Sequence, residues 1–303
     1  MNRKNPFRHK KFWRAAVAAL GILLLALSYW FVDTPFSSPA GPASDAVFQV
    51  HFIDVGQGDC ALVLAQGHAM LIDGGERGSE GEVTKYLKDQ GVSRLDYVVA
   101  THPHSDHIGG LAYGILESFP VGMVLAPRLS QDNTPDTHTY EAFLNAVNQL
   151  VAQGAKAVYA QPGQEYPLGD AVVRVLGPLC EDRGGYNNNS VVVQVAFKDV
   201  RALFMGDAEK AAEDALVRQW GGALRSDVLK TGHHGSKTSS GDAFMKVVNP
   251  RAVVISCGVY NSYGHPSQEV LARCKARNIK VLRTDIDRTA VFVSDGATWA
   301  WLE

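Results

Sequence analysis

The sequence predicts a layered α/β domain with two β-sheets and helices on the outside. Three observations predict this class. Short β-branched runs fill an early and a late part of the chain, helical patterns separate and follow them, and strands and helices do not alternate strictly. The third observation argues against a doubly wound fold or a β/α barrel. The 303 residues, 46% of them hydrophobic and 20% charged, suit one large globular domain or two small ones.

In the first part of the domain, alternating or wholly apolar runs indicate strands, and glycines mark the ends of two helices. The predicted strands cover 47–55, 60–65, 69–72, 95–100 and 121–126. The predicted helices cover 82–90 and 140–153. Gly91 and Gly154 follow them directly, at the position where many helices end in a left-handed residue.

The later part of the domain has a similar mixture of short strands and helices. The predicted strands cover 155–160, 171–176, 190–197, 200–206, 226–230, 252–256, 279–283, 289–294 and 297–302. The predicted helices cover 208–219, 241–248 and 267–276. The chain therefore reads as a β-rich part, helices, and a second β-rich part with helices, which predicts two sheets.

The N-terminus differs from the rest of the chain. Residues 1–14 form a basic flank, 15–32 an uncharged apolar run, 33–46 a linker, and 47–303 the folded domain. The apolar run approaches the ~20 residues that span a bilayer and exceeds the ~7–15-residue core of a cleaved signal. We therefore predict one hydrophobic N-terminal helix acting as a signal-anchor, with a signal peptide cleaved near Ser37–Ala40 as the alternative. Because basic flanks stay in the cytoplasm, the domain is expected to be extracellular.

The folded domain is acidic. Residues 1–44 hold six basic residues and one acidic residue, which leaves 23 basic and 30 acidic residues in the remainder. An acidic domain is a poor general binder of polyanions, so nucleic acid could bind only through a local basic patch and metals. The four cysteines form no C-x-x-C pair, which argues against a zinc knuckle. Cys60 and Cys257 lie in apolar runs typical of buried free thiols.

Three histidines and one aspartate lie within six residues, directly after a predicted strand. The run reads Thr101-His102-Pro103-His104-Ser105-Asp106-His107. Neutral imidazole and carboxylate are ligands that zinc, manganese and iron accept. Four such ligands in one tight turn exceed what a single four-coordinate ion usually takes from one segment. The motif therefore predicts two divalent ions, one on His102 and His104 and the other on Asp106 and His107.

Further ligands are predicted at the ends of two later strands. Asp207 alone would be a helix N-cap, but beside the histidine motif it is a candidate carboxylate bridging two ions about 3.5–4 Å apart. His233 and His234 lie between glycines. We expect one of them to bind metal and the other to meet substrate, and we assign His234 as the ligand and His233 to catalysis. Gly109–Gly110 is expected to turn the chain sharply into the next helix.

These motifs together resemble the metallo-β-lactamase superfamily, and within it the extracellular hydrolase domain of the DNA-uptake protein ComEC and its stand-alone relatives. The segments that carry the resemblance are Phe52–Asp59, Leu71–Gly75, the histidine motif, Tyr186–Ser190, Met205–Glu209, Leu229–Ser240 and Asn261–Pro266. The resemblance implies a four-layer αββα sandwich and metal-dependent hydrolysis. Many members have another histidine ligand between the motif and Asp207, where this chain has 187–190. The ion on His102 and His104 is therefore expected to be the weaker one.

The implied mechanism is attack by a hydroxide shared between the two ions, with Asp106 essential for catalysis. Asp59 and Asp73 would orient ligands such as His102, unless they only cap turns. Lys237 is a candidate phosphate contact, with a solvated loop lysine as the alternative. Three further candidates for substrate binding are Asn188, Ser190 and Ser236.

His265 precedes Pro266 in a predicted turn. We assign it to the mouth of the pocket, as a proton donor or a substrate contact, with a purely structural role in the turn as the alternative.

The sequence therefore predicts a membrane-tethered hydrolase that uses two Zn²⁺ or Mn²⁺ ions to cleave phosphodiesters, as a ComEC-like nuclease or phosphodiesterase. Single-stranded DNA is one candidate substrate. Hydrolysis of a small phosphoester or ester on a cell-wall component is an alternative, and a non-catalytic binding module is disfavoured by the complete ligand set. A DNA-uptake role is not carried over, and no obligate protein partner is expected.

Overall fold

The computed structural model describes residues 48–180 and 185–302. The predicted basic flank, apolar run and linker lie outside these residues. Within the described ranges, no helix is long and apolar enough to cross a membrane. The first described strand begins at Phe48, next to the predicted start of the folded domain.

Fifteen strands form two sheets in the described part of the chain. They are β1 (Phe48–Phe52), β2 (Ala61–Ala65), β3 (His68–Ile72), β4 (Leu95–Val99), β5 (Val121–Ala126), β6 (Lys156–Tyr159), β7 (Glu165–Leu168), β8 (Ala171–Val175), β9 (Val193–Phe197), β10 (Val200–Phe204), β11 (Val228–Lys230), β12 (Ala252–Ile255), β13 (Lys280–Arg283), β14 (Ala290–Ser294) and β15 (Trp299–Leu302). The first sheet has the order β15-β14-β1-β2-β3-β4-β5-β6, and the second has the order β13-β12-β11-β10-β9-β8-β7.

Each sheet has a parallel part and an antiparallel part. Strands β3 to β6 are parallel in the first sheet, and β10 to β13 are parallel in the second. The remaining neighbours pair antiparallel. The parallel strands of one sheet therefore end at a common edge, where loops can bring distant residues together.

Helices cover the outer face of each sheet. They are α1 (Glu80–Asp89), α2 (Ser105–Gly110), α3 (Leu116–Ser118), α4 (His138–Ala152), α5 (Lys210–Trp220), α6 (Asp242–Val248), α7 (Gln268–Ala276) and α8 (Thr284–Asp287). A π-helical turn at Leu111–Ile115 joins α2 to α3. Short 3₁₀ turns lie at Gln131–Asn133, Asn187–Asn189 and Gly221–Leu224, and Gly232–Gly235 forms a tight turn in which His233 and His234 have positive φ.

The hydrophobic core has three parts, which define four layers. The inner faces of the sheets meet through aromatic pairs, with Phe48 on Phe197 at 5.1 Å and Phe52 on Phe204 at 5.6 Å between ring centroids. Helices α1, α2 and α4 pack on the outside of the first sheet, and α5, α6 and α7 on the outside of the second. Burial of each of these aromatic side chains stabilises the fold by about 1.5–3 kcal/mol relative to exposure to water. These pairs therefore hold the two sheets face to face in an αββα arrangement.

All the strands predicted from the sequence are present, but β7 was missed. Its residues Glu165–Leu168 are largely exposed and include Pro167, and it lies at the edge of the second sheet. Proline is tolerated at such an edge, although it argues against a central strand. The short helix α8 was also missed. Gly91 and Gly154 have the expected positive φ directly after their helices.

The predicted role of Gly109–Gly110 was wrong. Both residues lie inside α2, which begins at Ser105, and neither has a positive φ. A Cβ on Gly109 would lie 2.4 Å from the backbone N of Arg77, and one on Gly110 would lie 2.1 Å from the backbone O of Gly74. The glycines let α2 pack directly against the backbone of 74–77, and this close contact fixes the helix that carries Asp106 and His107.

The four cysteines are free thiols. Cys60 and Cys257 are fully buried, as their apolar surroundings in the sequence indicate.

Candidate metal centre

The predicted ligands meet at the edge where the parallel strands of the two sheets end. The histidine motif follows β4, Asp207 follows β10, and the His233–His234 pair follows β11. The backbone of Val191 bonds to the carbonyl of Thr101, so the loop before β9 is joined to the histidine motif. The fold therefore brings together the ligands that the sequence predicted separately.

Asp207 lies at the centre of this cluster and is 2% exposed. Its Oδ1 lies 3.2 Å from His107 Nε2 and 3.5 Å from His234 Nε2. Its Oδ2 lies 3.6 Å from His102 Nε2 and 3.9 Å from His233 Nε2. Each carboxylate oxygen thus faces a different pair of imidazoles, which is the arrangement that a bridging carboxylate requires.

The ligands fall into two groups around Asp207. We call Asp106, His107 and His234 the inner group, and His102, His104 and His233 the outer group. In the inner group, Asp106 Oδ2 lies 3.1 Å from His234 Nε2. In the outer group, His102 Nε2 lies 2.9 Å from His104 Nδ1.

Buried residues hold the inner group in place. Asp73 accepts hydrogen bonds from the backbone N and Oγ1 of Thr101, and its Oδ2 lies 2.8 Å from His107 Nδ1. Asp59 Oδ1 lies 3.2 Å from His234 Nδ1, while its Oδ2 lies 2.7 Å from Lys230 Nζ. Asp73 thus fixes the ring of His107. The backbone carbonyl of Ser256, 3.1 Å from His234 Nδ1, fixes the ring of His234, with the Asp59 carboxylate beside it, so that both Nε2 atoms face Asp207.

The residue that Asp73 contacts differs from the predicted one. Asp73 contacts His107 directly, and it reaches His102 only through the hydroxyl of Thr101, which lies 3.1 Å from His102 Nδ1. Lys230 was not singled out in the sequence. A charged residue at the end of an otherwise apolar strand was the available signal, because such a residue needs a buried partner of opposite charge.

Residues nearer the surface contact His233 and His104 of the outer group, whereas His102 is held by the buried Thr101. His233 Nδ1 lies 2.7 Å from Glu209 Oε1, and Thr238 Oγ1 donates to the same oxygen at 2.8 Å. The ring of Tyr186 stands edge-on to His104, with 5.5 Å between centroids. Glu209 was missed as a functional residue, although it follows the predicted bridging Asp207 by only two positions.

The charges in the cluster are strongly coupled. Burial raises the pKa of Asp207, but the rings of His234 and His107 outweigh burial and hold the pKa well below its usual range. Burial lowers the pKa of His107, but Asp207 and Asp73 outweigh it and raise the pKa well above its usual range. The carboxylates therefore favour a cation in their midst.

The donor set fits divalent metal ions. One donor atom each from His102, His104 and Asp207 lie within 4.8 Å of one another, and so do donors from Asp59, His107, Asp207 and His234. Among the described residues, His107 Nε2 and Asp207 Oδ1 are buried and lie 3.2 Å apart, but neither atom makes a hydrogen bond of good geometry. A buried polar atom without a partner is costly, and an ion between these atoms would satisfy both.

Asp106 is the better fourth donor of the inner group than Asp59. Asp59 Oδ2 is paired with Lys230, and its Oδ1 faces the Nδ1 side of His234, away from Asp207. Asp106 instead faces the Nε2 side of the same ring. The two carboxylates therefore lie on opposite sides of one imidazole, with Asp106 on the side of the ions.

Three residues predicted to bind substrate also make hydrogen bonds within the protein, and their role toward substrate stays a prediction. The buried hydroxyl of Ser190 accepts from the backbone N of Asp207 at 3.0 Å. Asn188 Oδ1 accepts from the backbone N of Glu209 and Ala212 at the start of α5. Ser236 is buried, and its hydroxyl lies 2.9 Å from that of Thr238.

Lys237 and His265 lie where substrate contacts are expected. Lys237 is exposed on the loop after the histidine pair. The ring of His265 lies 5.4 Å from that of His233 and 6.3 Å from that of His234. Burial and the neighbouring rings of His233 and His234 lower the pKa of His265 to about 4. The ring is therefore neutral at pH 7, which favours a substrate contact over a proton donor.

The fold and the two donor groups define a protein of the metal-binding αββα class. The family model described as the metallo-beta-lactamase superfamily matches residues 53–259. The chain belongs to this superfamily, whose members are typically metal-dependent hydrolases.

The similar proteins include competence proteins. The chain is 30% identical to ComE operon protein 3 of Bacillus subtilis over 266 residues, which cover 82% of this chain and 33% of that protein. It is 31% identical to Competence protein ComA of Neisseria gonorrhoeae over 288 residues, covering 92% of this chain and 38% of that protein. The chain thus spans about a third of the length of these relatives.

Solved structures show the same fold at low identity. The metallo-beta-lactamase fold protein YhfI from Bacillus subtilis has a TM-score of 0.54 and 12% identity, with coverage of 82% of this chain and 100% of that one. Igni18, described as a metallo hydrolase from Ignicoccus hospitalis, has a TM-score of 0.53 and 17% identity, with coverage of 80% and 98%.

Proposed function

We propose that the chain is a metal-dependent phosphodiesterase with two divalent ions, Zn²⁺ or Mn²⁺. The observation that carries the proposal is the position of Asp207, whose two oxygens face separate histidine pairs. When bound, the two ions supply charge neutralisation for a phosphoryl group and lower the pKa of water toward neutral.

Asp106, His107, His234 and Asp207 would hold the inner ion. His102, His104, His233 and Asp207 would hold the outer ion. His233 takes the place of the histidine that many superfamily members carry earlier in the chain, because its Nε2 faces Asp207 Oδ2 while its Nδ1 is held by Glu209. This revises the sequence-based assignment of His233 from catalysis to metal binding, and both histidines of the pair become ligands.

The chain's own residues bind and orient the phosphoester. Lys237 supplies a mobile positive charge at the rim of the site for a phosphate oxygen. His265, neutral and held in the turn before Pro266, offers a hydrogen bond to the same group. An ester that carries a negative charge suits this rim better than a neutral lactam does.

The location of the domain forms part of the proposal. The basic flank at 1–14 and the apolar run at 15–32 support a membrane anchor with the hydrolase domain outside the cell. A phosphoester in the surroundings of the cell is then the accessible partner. No protein partner is needed to complete the donor set.

The test is a substrate panel with the full chain loaded with Mn²⁺ or Zn²⁺. Bis-p-nitrophenyl phosphate and single-stranded DNA are compared with nitrocefin, and metal content is measured by elemental analysis. We expect two ions per chain and cleavage of the phosphodiesters only. Asp106→Ala should lower the rate by about 100- to 1,000-fold.

The matched control is Asp136→Ala, which removes an exposed aspartate outside the site and should leave the rate within about twofold. Absence of bound metal together with no turnover of either phosphodiester sinks the proposal. Turnover of nitrocefin alone would replace it with a lactamase.

A further inference from the structure

An apolar cavity lies beside the outer group of ligands, between α4 and the first sheet. Its volume is about 90 Å³. His102 and Pro103 of the histidine motif form part of its wall and are buried, whereas Leu144 and Tyr159 line it and are half-buried. Because His102 also belongs to the outer group, a molecule in this cavity contacts the segment that carries the metal ligands.

Three alanines account for this space. Ala100 follows β4, Ala126 ends β5, and Ala157 lies in β6 beside Val124 of β5. Their side chains belong to the apolar layer between the first sheet and its helices, where α4 contributes Phe143. A methyl group reaches less far from the sheet than a valine or leucine side chain does, so a gap remains beneath α4.

The lining of the cavity suits an apolar molecule. Among the described residues, the side chains that line it are apolar except for His102, Tyr140 and Tyr159. Burial and the neighbouring rings of Tyr159 and Tyr186 raise the pKa of Tyr140 to about 12, so this hydroxyl carries no charge at pH 7. A charged or strongly polar group placed here would lose its hydrogen bonds to water. An apolar cavity of about 150 Å³ binds benzene, so a volume near 90 Å³ has room for about four to six carbon atoms.

We propose that this cavity is a binding site for a small apolar group, an alkyl chain or a phenyl ring of about four to six carbon atoms, seated against the histidine motif. The group is either a substituent of the phosphoester in the metal centre or a separate apolar molecule, and both sources present the same surface to the cavity. Only the first source rests on the phosphodiesterase function proposed above. Binding to the cavity itself does not depend on turnover.

Two effects of an occupied cavity follow from its position. Each methylene group that leaves water strengthens binding by about three- to fourfold, until the cavity is full. The occupant also packs against His102 and Pro103 and restrains the segment that supplies the outer ion, so the outer ion should bind more tightly. By reciprocity, the outer ion tightens the binding of the apolar group by the same factor, which we expect to be about fivefold.

The first measurement is the binding of fluorobenzene to the metal-loaded full chain in detergent solution, followed by fluorine NMR. A protein site saturates, whereas partition into detergent does not, and we expect one saturable site per chain. Ala157→Ile should weaken this binding by at least about tenfold, because the larger side chain occupies part of the cavity. Leu144→Ala should instead enlarge the cavity and admit fluoronaphthalene, which the wild type excludes.

Ala300→Ile is the matched control, because it makes the same substitution at an exposed position of the strand β15. It should leave the binding of fluorobenzene unchanged.

The second measurement identifies the source of the apolar group. It compares two esters that share a leaving group, methyl and butyl p-nitrophenyl phosphate. A substituent that enters the cavity should raise kcat/KM for the butyl ester by about 10- to 50-fold, and Ala157→Ile should remove this gain. A separate molecule instead leaves the two esters equal, and saturating fluorobenzene then tightens the outer ion by about fivefold in competition with a chelator.

The outcomes separate the cavity from the function of the metal centre. The absence of a saturable fluorobenzene site together with equal kcat/KM for the two esters overturns the binding site, and so does binding that is unchanged in both Ala157→Ile and Leu144→Ala. If neither ester is hydrolysed, the phosphodiesterase fails. The binding of fluorobenzene and the affinity of the outer ion then still decide whether the cavity takes an apolar molecule.

Discussion

The inner and outer groups of the metal centre use the same kinds of ligand, yet they differ in what holds those ligands. Behind the inner group lie Asp73, which is fully buried, and the buried pair of Asp59 and Lys230. Behind His233 of the outer group lies Glu209, whose side chain is 25% exposed, with Thr238 on an exposed loop, and only His102 of that group has a buried support, Thr101. The inner histidines are thus fixed by the core of the protein, and His233 by its surface.

This difference shows how one fold can form two metal sites of unequal affinity. A buried charged residue holds a ligand firmly in one orientation, because a buried charge that loses its partner is costly in the absence of water. Exposed partners compete with water and hold a ligand less firmly. We therefore expect the inner ion to bind first and more tightly, and the outer ion to bind second. The contrast agrees with the weaker outer ion that the sequence predicts, but the reason now includes the depth of the supporting residues.

The largest expected effect comes from the buried pair behind His234. Lys230→Met removes the cation paired with the buried Asp59 and leaves His234 as the one remaining charged contact of that carboxylate among the described residues, which should lower the free energy of unfolding by about 3–5 kcal/mol. Urea unfolding of the metal-free protein measures this change. Lys237→Met is the matched control, because the same substitution at an exposed lysine should change stability by less than about 0.5 kcal/mol.

A double variant tests whether charge is the cause. Asp59→Asn combined with Lys230→Met removes both charges and should recover a measurable part of the lost stability. If Lys230→Met is as stable as the wild type, the inner group does not depend on buried charge, and the contrast between the two groups fails.

A smaller effect is expected at the buried carboxyl that supports the loop of the outer group. Glu213 accepts hydrogen bonds from the backbone N of Ser240 and Gly241, close to Arg273, and burial raises its pKa to about 7. The native carboxyl therefore keeps a proton that the unfolded chain releases near pH 4.5. Its contribution to stability is greatest below about pH 4.5 and declines as the pH rises to about 7.

Glu213→Gln isolates this contribution. The stability of the variant relative to the wild type should rise by up to ~3 kcal/mol between pH 4.5 and pH 8. Urea unfolding at several pH values measures the difference in stability. Glu82→Gln, at an exposed position of α1, is the control, because it shows how the same substitution changes stability with pH when the carboxyl is not buried. A relative stability that stays flat across this pH range contradicts a raised pKa.

The candidate ligands could be selected from the sequence because each of them has a local signature. His102, His104, Asp106 and His107 share one short motif, and Asp207 follows a strand. The fold brought them together as expected, because the ends of parallel strands meet at one edge. The αββα layers were predictable for a similar reason, since strand and helix periods are local properties.

Asp59 and Asp73 were predicted as supporting residues, but the pairs that the supporting residues form were not predictable in the same way. Lys230 meets Asp59 across two sheets, and Glu209 meets His233 across two loops. Neither pairing leaves a local pattern in the sequence, because the contact exists only after the sheets have packed. The close packing of Gly109 on Arg77 is another contact of this kind, and for that reason the glycines were assigned to a turn.

The smallest expected effect is the most direct test of the two unequal sites. Glu209→Gln keeps the size of the side chain and removes the negative charge beside His233 Nδ1. The outer ion should then bind about tenfold more weakly, while the affinity of the inner ion stays within about twofold. Competition with a chelator, followed for each of the two ions, measures both affinities without relying on turnover.

Thr238→Val should weaken the outer ion less than Glu209→Gln does, because it removes the hydrogen bond to Glu209 and keeps the negative charge of Glu209. If both affinities fall together in Glu209→Gln, the two groups are coupled through Asp207 more strongly than through their separate supports, and the order of loading inferred from their depth is wrong.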